Sequence, residues 1–143
     1  MRLTTKTRYS LRALVALAQQ PEGKTMPLSA IARRQRIKPK YLEQILLKLH
    51  RAKLIKSKKG PGGGYLLARD PKSIRLKDII NAAGESTAPV MCVVNKRDRY
   101  CAGFSLCPMK HHWKELKKRI DGFFDEYTLA DICEESSIQT QGG

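Results

Sequence analysis

The residues whose chemistry most needs explaining are four cysteines, Cys92, Cys101, Cys107 and Cys133. Three of them fall within sixteen residues, spaced Cys92-x8-Cys101-x5-Cys107. Structural zinc sites use Cys-x2-4-Cys pairs whose tight turns close a tetrahedron, and this segment contains no such pair. The wider loops suit an iron–sulfur cluster, whose irons separate the thiolates by several ångströms. Lys96, Arg97 and Arg99 lie between the thiols, where they favour thiolate over thiol and would offset the charge of a cluster. Incidental free thiols are the competing reading of the same spacing. Cys133 follows Ile132 in the last periodic segment and reads as a small core residue rather than a ligand.

The segment holding the thiols, Glu85 to Leu106, has no apolar periodicity and is the longest predicted loop. A loop of that length inside a small domain is usually functional or disordered, and its cysteines favour function. Behind it comes the clearest periodic signal of the chain. Leu106, Met109, Trp113, Leu116, Ile120, Phe123 and Tyr127 recur at spacings of 3 and 4, the seam of a coiled coil. The pattern predicts a helix from about Pro108 to Asp125, roughly 27 Å long, with charges on its flanks. Gly122 inside it costs about 1 kcal/mol relative to Ala and could admit close helix–helix approach. Met109, Trp113, Leu116, Ile120, Phe123 and Tyr127 are therefore the expected interface of a symmetric homodimer. Thr128, with Asp131 three residues on, opens a short final helix, and Ser136 to Gly143 is expected to be a frayed tail.

Ahead of the loop the elements are those of a groove reader. Thr7 to Gln19 has helical apolar spacing and stops at Pro21, Glu22 and Gly23. Ser29 to Gln35 fits a short helix with Arg33, Arg34 and Arg36 outward. After a tight connection Pro39 opens a third helix at its first position, where a missing N–H costs nothing. Leu42, Ile45, Leu46 and Leu49 form that helix's apolar stripe, with Lys40, Glu43, Gln44, Lys48 and Arg51 opposite. Leu47 also points outward, for no reason the pattern supplies. Two helices joined by about three residues, the second with a polar, basic face, describe a helix-turn-helix.

Leu54 to Lys58, a tip Lys59-Gly60-Pro61-Gly62-Gly63-Gly64, and Tyr65 to Leu67 then read as a β-hairpin. In this position a hairpin is a wing, and its glycines allow backbone to approach a phosphate. It is not a nucleotide-binding loop, because no Gly-Lys-Ser/Thr and no helix follow. Leu76 to Ala83, closed by Gly84, is a further short helix.

Charge divides along the same boundary. Met1 to Arg75 holds nineteen Lys or Arg against three acids, whereas Leu76 to Gly143 holds nine bases and ten acids. The net +15 thus belongs to one half, a field that attracts a polyanion, most commonly duplex nucleic acid. A solvated basic surface without a partner is the blander alternative. At 143 residues, 41% hydrophobic and 29% charged, the chain has the composition of a folded domain. No apolar stretch approaches a bilayer span, no signal peptide opens the chain, and the cysteines form no secreted disulfide framework. The expectation is a cytoplasmic protein without a membrane partner.

Leu28-Ser29-Ala30-Ile31-Ala32, Tyr41-Leu42-Glu43-Gln44-Ile45, Gly60-Pro61-Gly62-Gly63-Gly64-Tyr65 and Cys101-x5-Cys107 occur in order after an opening Met1-Arg2-Leu3-Thr4. Together they resemble the IscR/NsrR-type family of bacterial winged-helix transcription regulators, from Met1 to about Glu135. The resemblance implies a dimeric sensor that binds an iron–sulfur cluster through Cys92, Cys101 and Cys107, a 2Fe-2S cluster being favoured over a 4Fe-4S one. It implies base reading by Glu43 and Gln44, with Lys38, Lys40, Tyr41, Lys48, Lys58, Lys59, Gly60, Gly62 and Gly63 completing the DNA-binding surface. IscR-like members place a histidine three residues after the last cysteine, where this chain has Lys110, whose ammonium cannot ligate iron. NsrR-like members use an acid of the partner's first helix, and the corresponding residue here is Arg8. The fourth ligand is accordingly open: His111 or His112 after a helix shift, a non-protein ligand, or none.

The expected architecture is mainly α. A winged helix-turn-helix domain (1–84) is followed by a cysteine-bearing loop (85–107), then a dimerisation helix with a short final helix and tail (108–143). The expected function is a homodimeric, non-enzymatic transcription regulator, repressor in sense, on a pseudo-palindromic operator in double-stranded DNA, with affinity controlled by its cluster. The alternatives are a cluster-free regulator responding to thiol oxidation or to a partner protein, and, from another class, an iron–sulfur carrier or redox protein. No Cys-x-x-Cys, nucleophile–base pair or nucleotide loop supports a redox enzyme.

Overall fold

Apolar spacing becomes packing first in the N-terminal half. The computed structural model describes residues 3–94 and 101–141. Lys96, Arg97 and Arg99 lie outside the described residues, as do Met1, Arg2, Gly142 and Gly143. Helix α1 (Thr5–Ala18) is capped by Thr4, whose hydroxyl accepts the Lys6 N–H at 3.2 Å. It buries Ala13, Leu14, Ala16 and Leu17. Helix α2 (Leu28–Gln35) ends at Arg36 in the left-handed region, φ +53°, an uncommon conformation for a side-chain-bearing residue. That residue turns the chain tightly enough for the Ile37 N–H to reach the Ala32 carbonyl at 3.0 Å, and the Ile37 side chain is buried.

Helix α3 (Pro39–Arg51) starts with Pro39 in its first turn and buries Leu42, Ile45, Leu46 and Leu49 against α1 and α2. Lys53, at φ +60°, ends it, with the Leu54 N–H on the Leu49 carbonyl at 3.1 Å. Strands β1 (Ile55–Lys58) and β2 (Gly64–Leu67) pair antiparallel, Ile55 opposite Leu67 and Lys58 opposite Gly64. Met26 adds a bridge on the other side of β2. Its N–H and carbonyl both bond Tyr65 at 2.9 Å, tying the wing to the segment that enters α2.

Helix α4 (Leu76–Ala82) is capped by Asp78, which accepts the Arg75 N–H at 2.9 Å, and is followed by Gly84 at φ +78°. Helix α5 (Lys110–Glu126) buries no residue. Helix α6 (Leu129–Gln141) opens on reciprocal bonds: Asp131 accepts the Thr128 N–H at 2.8 Å, and Thr128 accepts the Asp131 N–H at 3.3 Å. Leu129 is fully buried, its N–H on the Ile74 carbonyl at 2.8 Å, so the α5–α6 junction is anchored in the N-terminal core. Cys133 packs against that core, and burial raises its thiol pKa.

The fold is mainly α, a winged helix-turn-helix followed by a long helix, with six α-helices and one two-stranded sheet among the described residues. None of those helices is long and apolar enough to cross a membrane. Two expectations change. Ser136 to Gln141, expected as part of a frayed tail, instead belong to α6, while Gly142 and Gly143 lie outside the described residues. Ser136 and Ser137 place their hydroxyls on carbonyls one turn back, at 2.9 and 3.0 Å, and so do not compete with the helix. The cysteine segment is also not structureless; it contains short 3₁₀ turns at Met91–Val93 and Phe104–Leu106.

Candidate nucleic-acid interface and cysteine loop

The apolar stripe that seats α3 in the core turns its opposite face to solvent. Lys38, Lys40, Glu43, Gln44 and Lys48 are all exposed, as are Lys58, Lys59, Gly60 and Gly62 on the wing. Gly60 and Gly62 adopt φ +89° and +71°, values that β-branched or bulky residues rarely reach. A Cβ on Gly63 would run into the Lys58 carbonyl, so the hairpin tip closes only on glycine. The Thr25 hydroxyl donates to the Gly62 carbonyl at 2.6 Å and braces the tip against the chain entering α2. The helix and wing together present a cationic surface with an acid and an amide at its centre. Cations suit phosphates, and Glu43 and Gln44 suit base edges.

Two residues counted in that surface also make contacts behind or beside it. Tyr41 is half-buried, its hydroxyl 3.4 Å from the Thr5 hydroxyl and its ring edge-on to Tyr9 with centroids 5.9 Å apart. It therefore fastens the first turn of α3 to α1. Lys48, though exposed, places its ammonium beside Gly84, just past the end of α4.

The cysteine loop is held at its entrance by two carboxylates. Glu85 accepts both the N–H (3.1 Å) and the hydroxyl of Thr4, and the hydroxyl of Thr7, across the start of α1. Partial burial raises the Glu85 pKa, but the hydrogen bonds from Thr4 and Thr7 outweigh it and hold the carboxyl below its ordinary value. Two residues on, the hydroxyl of buried Thr87 donates to Asp121 of α5. Asp121 also meets Lys117 at 2.6 Å and Lys77 of α4 at 3.5 Å. Burial again works against ionisation there, and the Lys117 and Thr87 bonds with the charges of Lys117 and Lys77 lower the pKa overall. Glu85 thus joins the loop to α1, and Asp121 joins it to α4 and α5. Neither contact was visible in the sequence, because partners 81 and 34 residues apart share no local pattern.

Within the loop, Cys92 sits in the first 3₁₀ turn and Cys107 closes the second, both half-buried, whereas Cys101 is exposed. All are free thiols. Lys110 and Lys114 place their ammonium groups 4.9 and 5.6 Å from the centre of the Phe104 ring, a paired cation–π contact that holds the Cys101–Cys107 turn against α5. Lys110, standing where the resemblance would have a histidine, is thereby engaged with the ring. His111 and His112 are exposed and line a shallow surface hollow with Lys114, Glu115 and Lys118 that no cysteine borders. Among the described residues no three His, Cys, Asp or Glu side chains are grouped so as to hold a metal. The donors have the right chemistry for an iron–sulfur cluster, but as arranged here they do not form its ligand shell.

Of the seam residues on α5 and at its two ends, Met109, Leu116 and Phe123 are exposed and Trp113, Ile120 and Tyr127 half-buried.

The family model described as "Rrf2: Iron-dependent Transcriptional regulator" matches residues 3–135. The HTH-type transcriptional regulator IscR of Klebsiella pneumoniae (strain 342) is 36% identical over 143 residues, spanning 100% of this chain and 86% of that protein. Among solved structures, CymR (YrzC), the global cysteine regulator of B. subtilis, superposes with a TM-score of 0.76 at 27% identity, covering 94% of this chain and 98% of that one. T. potens IscR superposes with a TM-score of 0.73 at 32% identity, covering 95% and 88%. These relatives are named as regulators, not enzymes. The chain belongs to the Rrf2 family of transcriptional regulators.

Proposed function

We propose that the protein acts as a homodimer on a pseudo-palindromic operator, with repressor sense, and that an iron–sulfur cluster held by Cys92, Cys101 and Cys107 sets its affinity. The observation that carries the DNA reading is the exposed face of α3, where Lys40, Glu43 and Gln44 stand opposite four fully packed core residues. Two such helices related by a two-fold axis can enter successive major grooves about 34 Å apart, and the uncovered seam of α5 supplies the axis. Glu43 can accept from a cytosine amine and Gln44 can pair with adenine, while Lys59 and the glycines of the wing hold backbone phosphate.

Support for the cluster comes from three free thiols in one loop, from the family description as iron-dependent, and from kinship with IscR. When bound, such a cluster offers redox and iron-exchange chemistry at the loop. Loading requires the loop to draw Cys92, Cys101 and Cys107 together, since they are not grouped as described. Were the thiols drawn together, Glu85 would tie the loop to the start of α1, where Thr5 and Tyr9 meet Tyr41 of α3, and the Thr87–Asp121 bond would tie it to α5 and, through Lys77, to α4. Anaerobically purified protein is expected to contain iron and sulfide with visible thiolate-to-iron absorption, and to footprint a pseudo-palindrome whose affinity changes on cluster loss. Protein lacking iron, sulfide and that absorption sinks the cluster half of the proposal.

A second reading, cluster-free control by thiol oxidation or by a partner protein, is favoured by the ungrouped thiols and by the likeness to CymR, a cysteine regulator. Replacing all three loop cysteines with Ala separates the cases. If DNA binding and its redox response are unchanged, both thiol-based versions fail. Cluster transfer to an acceptor protein, without site-specific DNA binding, would instead indicate an iron–sulfur carrier.

A further inference from the structure

Leu47 is 50% exposed in the middle of a helix otherwise amphipathic, and it belongs neither to the buried core nor to the apolar residues packed against it. On α3 the positions Lys40, Gln44, Leu47 and Arg51 follow one another at i, i+4, i+7 and i+11, a single stripe on the side away from the core. Leu47 is the one apolar member of that stripe. Glu43 lies one turn before it, and Gln44 and Lys48 flank it.

Accepting α3 as the groove-reading helix, as set out above, we propose that Leu47 is a specificity-determining residue: it recognises the C5-methyl group of a thymine in the major groove. Its neighbours leave few other occupants. A second copy of the chain docking there would bring Lys40, Lys48 and Arg51 against their own equivalents, and like charges oppose such an interface. Those same cations suit duplex DNA, whose phosphates would flank the stripe. The floor of the major groove offers donors and acceptors to Glu43 and Gln44, but the thymine methyl is the apolar group it presents to a side chain without hydrogen-bonding atoms. Leu47 lies roughly 6 Å along the helix from Glu43. The thymine is therefore expected one or two base-pair steps from the pair that Glu43 and Gln44 read.

The test uses the full-length protein and a duplex obtained by in vitro selection, with each thymine replaced singly by deoxyuridine, which removes the methyl group and keeps the pairing. The wild type is expected to lose about fourfold in affinity at one thymine per half-site, the worth of one buried methyl-sized group. Leu47→Ala, folded by circular dichroism because the site is exposed, should bind the unmodified duplex more weakly by a similar factor and be indifferent to uracil at that position. Wild-type indifference to every deoxyuridine overturns the proposal, as does a Leu47→Ala protein that keeps the wild-type sensitivity. If Glu43→Ala still alters sequence preference, the α3 reading survives that failure. If selection yields no preferred site, both fall together.

Discussion

Helices α3 and α5 make opposite use of similar apolar content. The 13 residues of α3 send four large aliphatic side chains into a closed core, while the 17 residues of α5 bury none. Leu116 and Phe123 of α5 are 40% and 53% exposed. The first helix is complete within one chain, and its exposed face is free to be chemically specialised. The second leaves part of its apolar face exposed among the described residues. A 3–4 apolar rhythm therefore identifies an amphipathic helix but does not say whether its partner is intramolecular. The contrast also separates what substitution should do, since damage to α3's buried face unfolds the protein, whereas damage to α5's seam leaves a folded but impaired one.

The sharpest form of that contrast is thermodynamic. Leu46→Ala, at a fully buried position, should lower unfolding stability by about 2–5 kcal/mol in denaturant titration. A loss below about 1 kcal/mol would mean the α3 core is looser than described. Leu116→Glu with Phe123→Glu should leave the far-ultraviolet dichroism largely intact. It should shift sedimentation to monomer and weaken operator binding on the order of 100-fold, as the linkage between half-sites is lost. If the double variant remained dimeric, α5 would not be the seam.

Gly122 refines the same comparison. A Cβ there meets nothing among the described residues, so Gly122→Ala should raise stability by up to about 1 kcal/mol through helix propensity. A fall in dimer affinity would instead place close helix–helix contact on that side of α5. The smallest effect expected is at Glu85. Its folded pKa lies below the ordinary 4.5, so its contribution is present above that value and disappears as pH falls through the folded one. Between pH 6 and pH 3 the wild type should lose slightly more stability than Glu85→Gln, by under about 1 kcal/mol for a partly solvated group. Identical acid profiles would remove the clamp from the account.

Much of this architecture was legible from residue order because its determinants are local. Pro39 opening α3, the Leu42–Leu49 stripe, the glycine-rich hairpin tip and the Thr128–Asp131 cap each act within a few residues. The third-strand contact of Met26 was hidden, because a one-residue bridge leaves no period. The length of α6 was hidden as well, since Ser136-Ser137-Ile138-Gln139 reads as polar tail until its hydroxyls are seen bonded within the helix. At the site, Glu43, Gln44 and the cysteines announced themselves by type. The Glu85, Asp121 and Phe104 contacts that position the loop depend on distant or geometric pairings that no spacing records. Tyr41 carried a motif signal whose structural meaning, a bond to Thr5 and a ring against Tyr9, appeared only in three dimensions.

Sedimentation velocity of the protein, alone and with a duplex carrying its selected site, distinguishes paired from single action on DNA. The account predicts a free dimer and two chains per duplex on a site with two-fold symmetry. A monomer that binds one chain per duplex, on a site without symmetry, would contradict it.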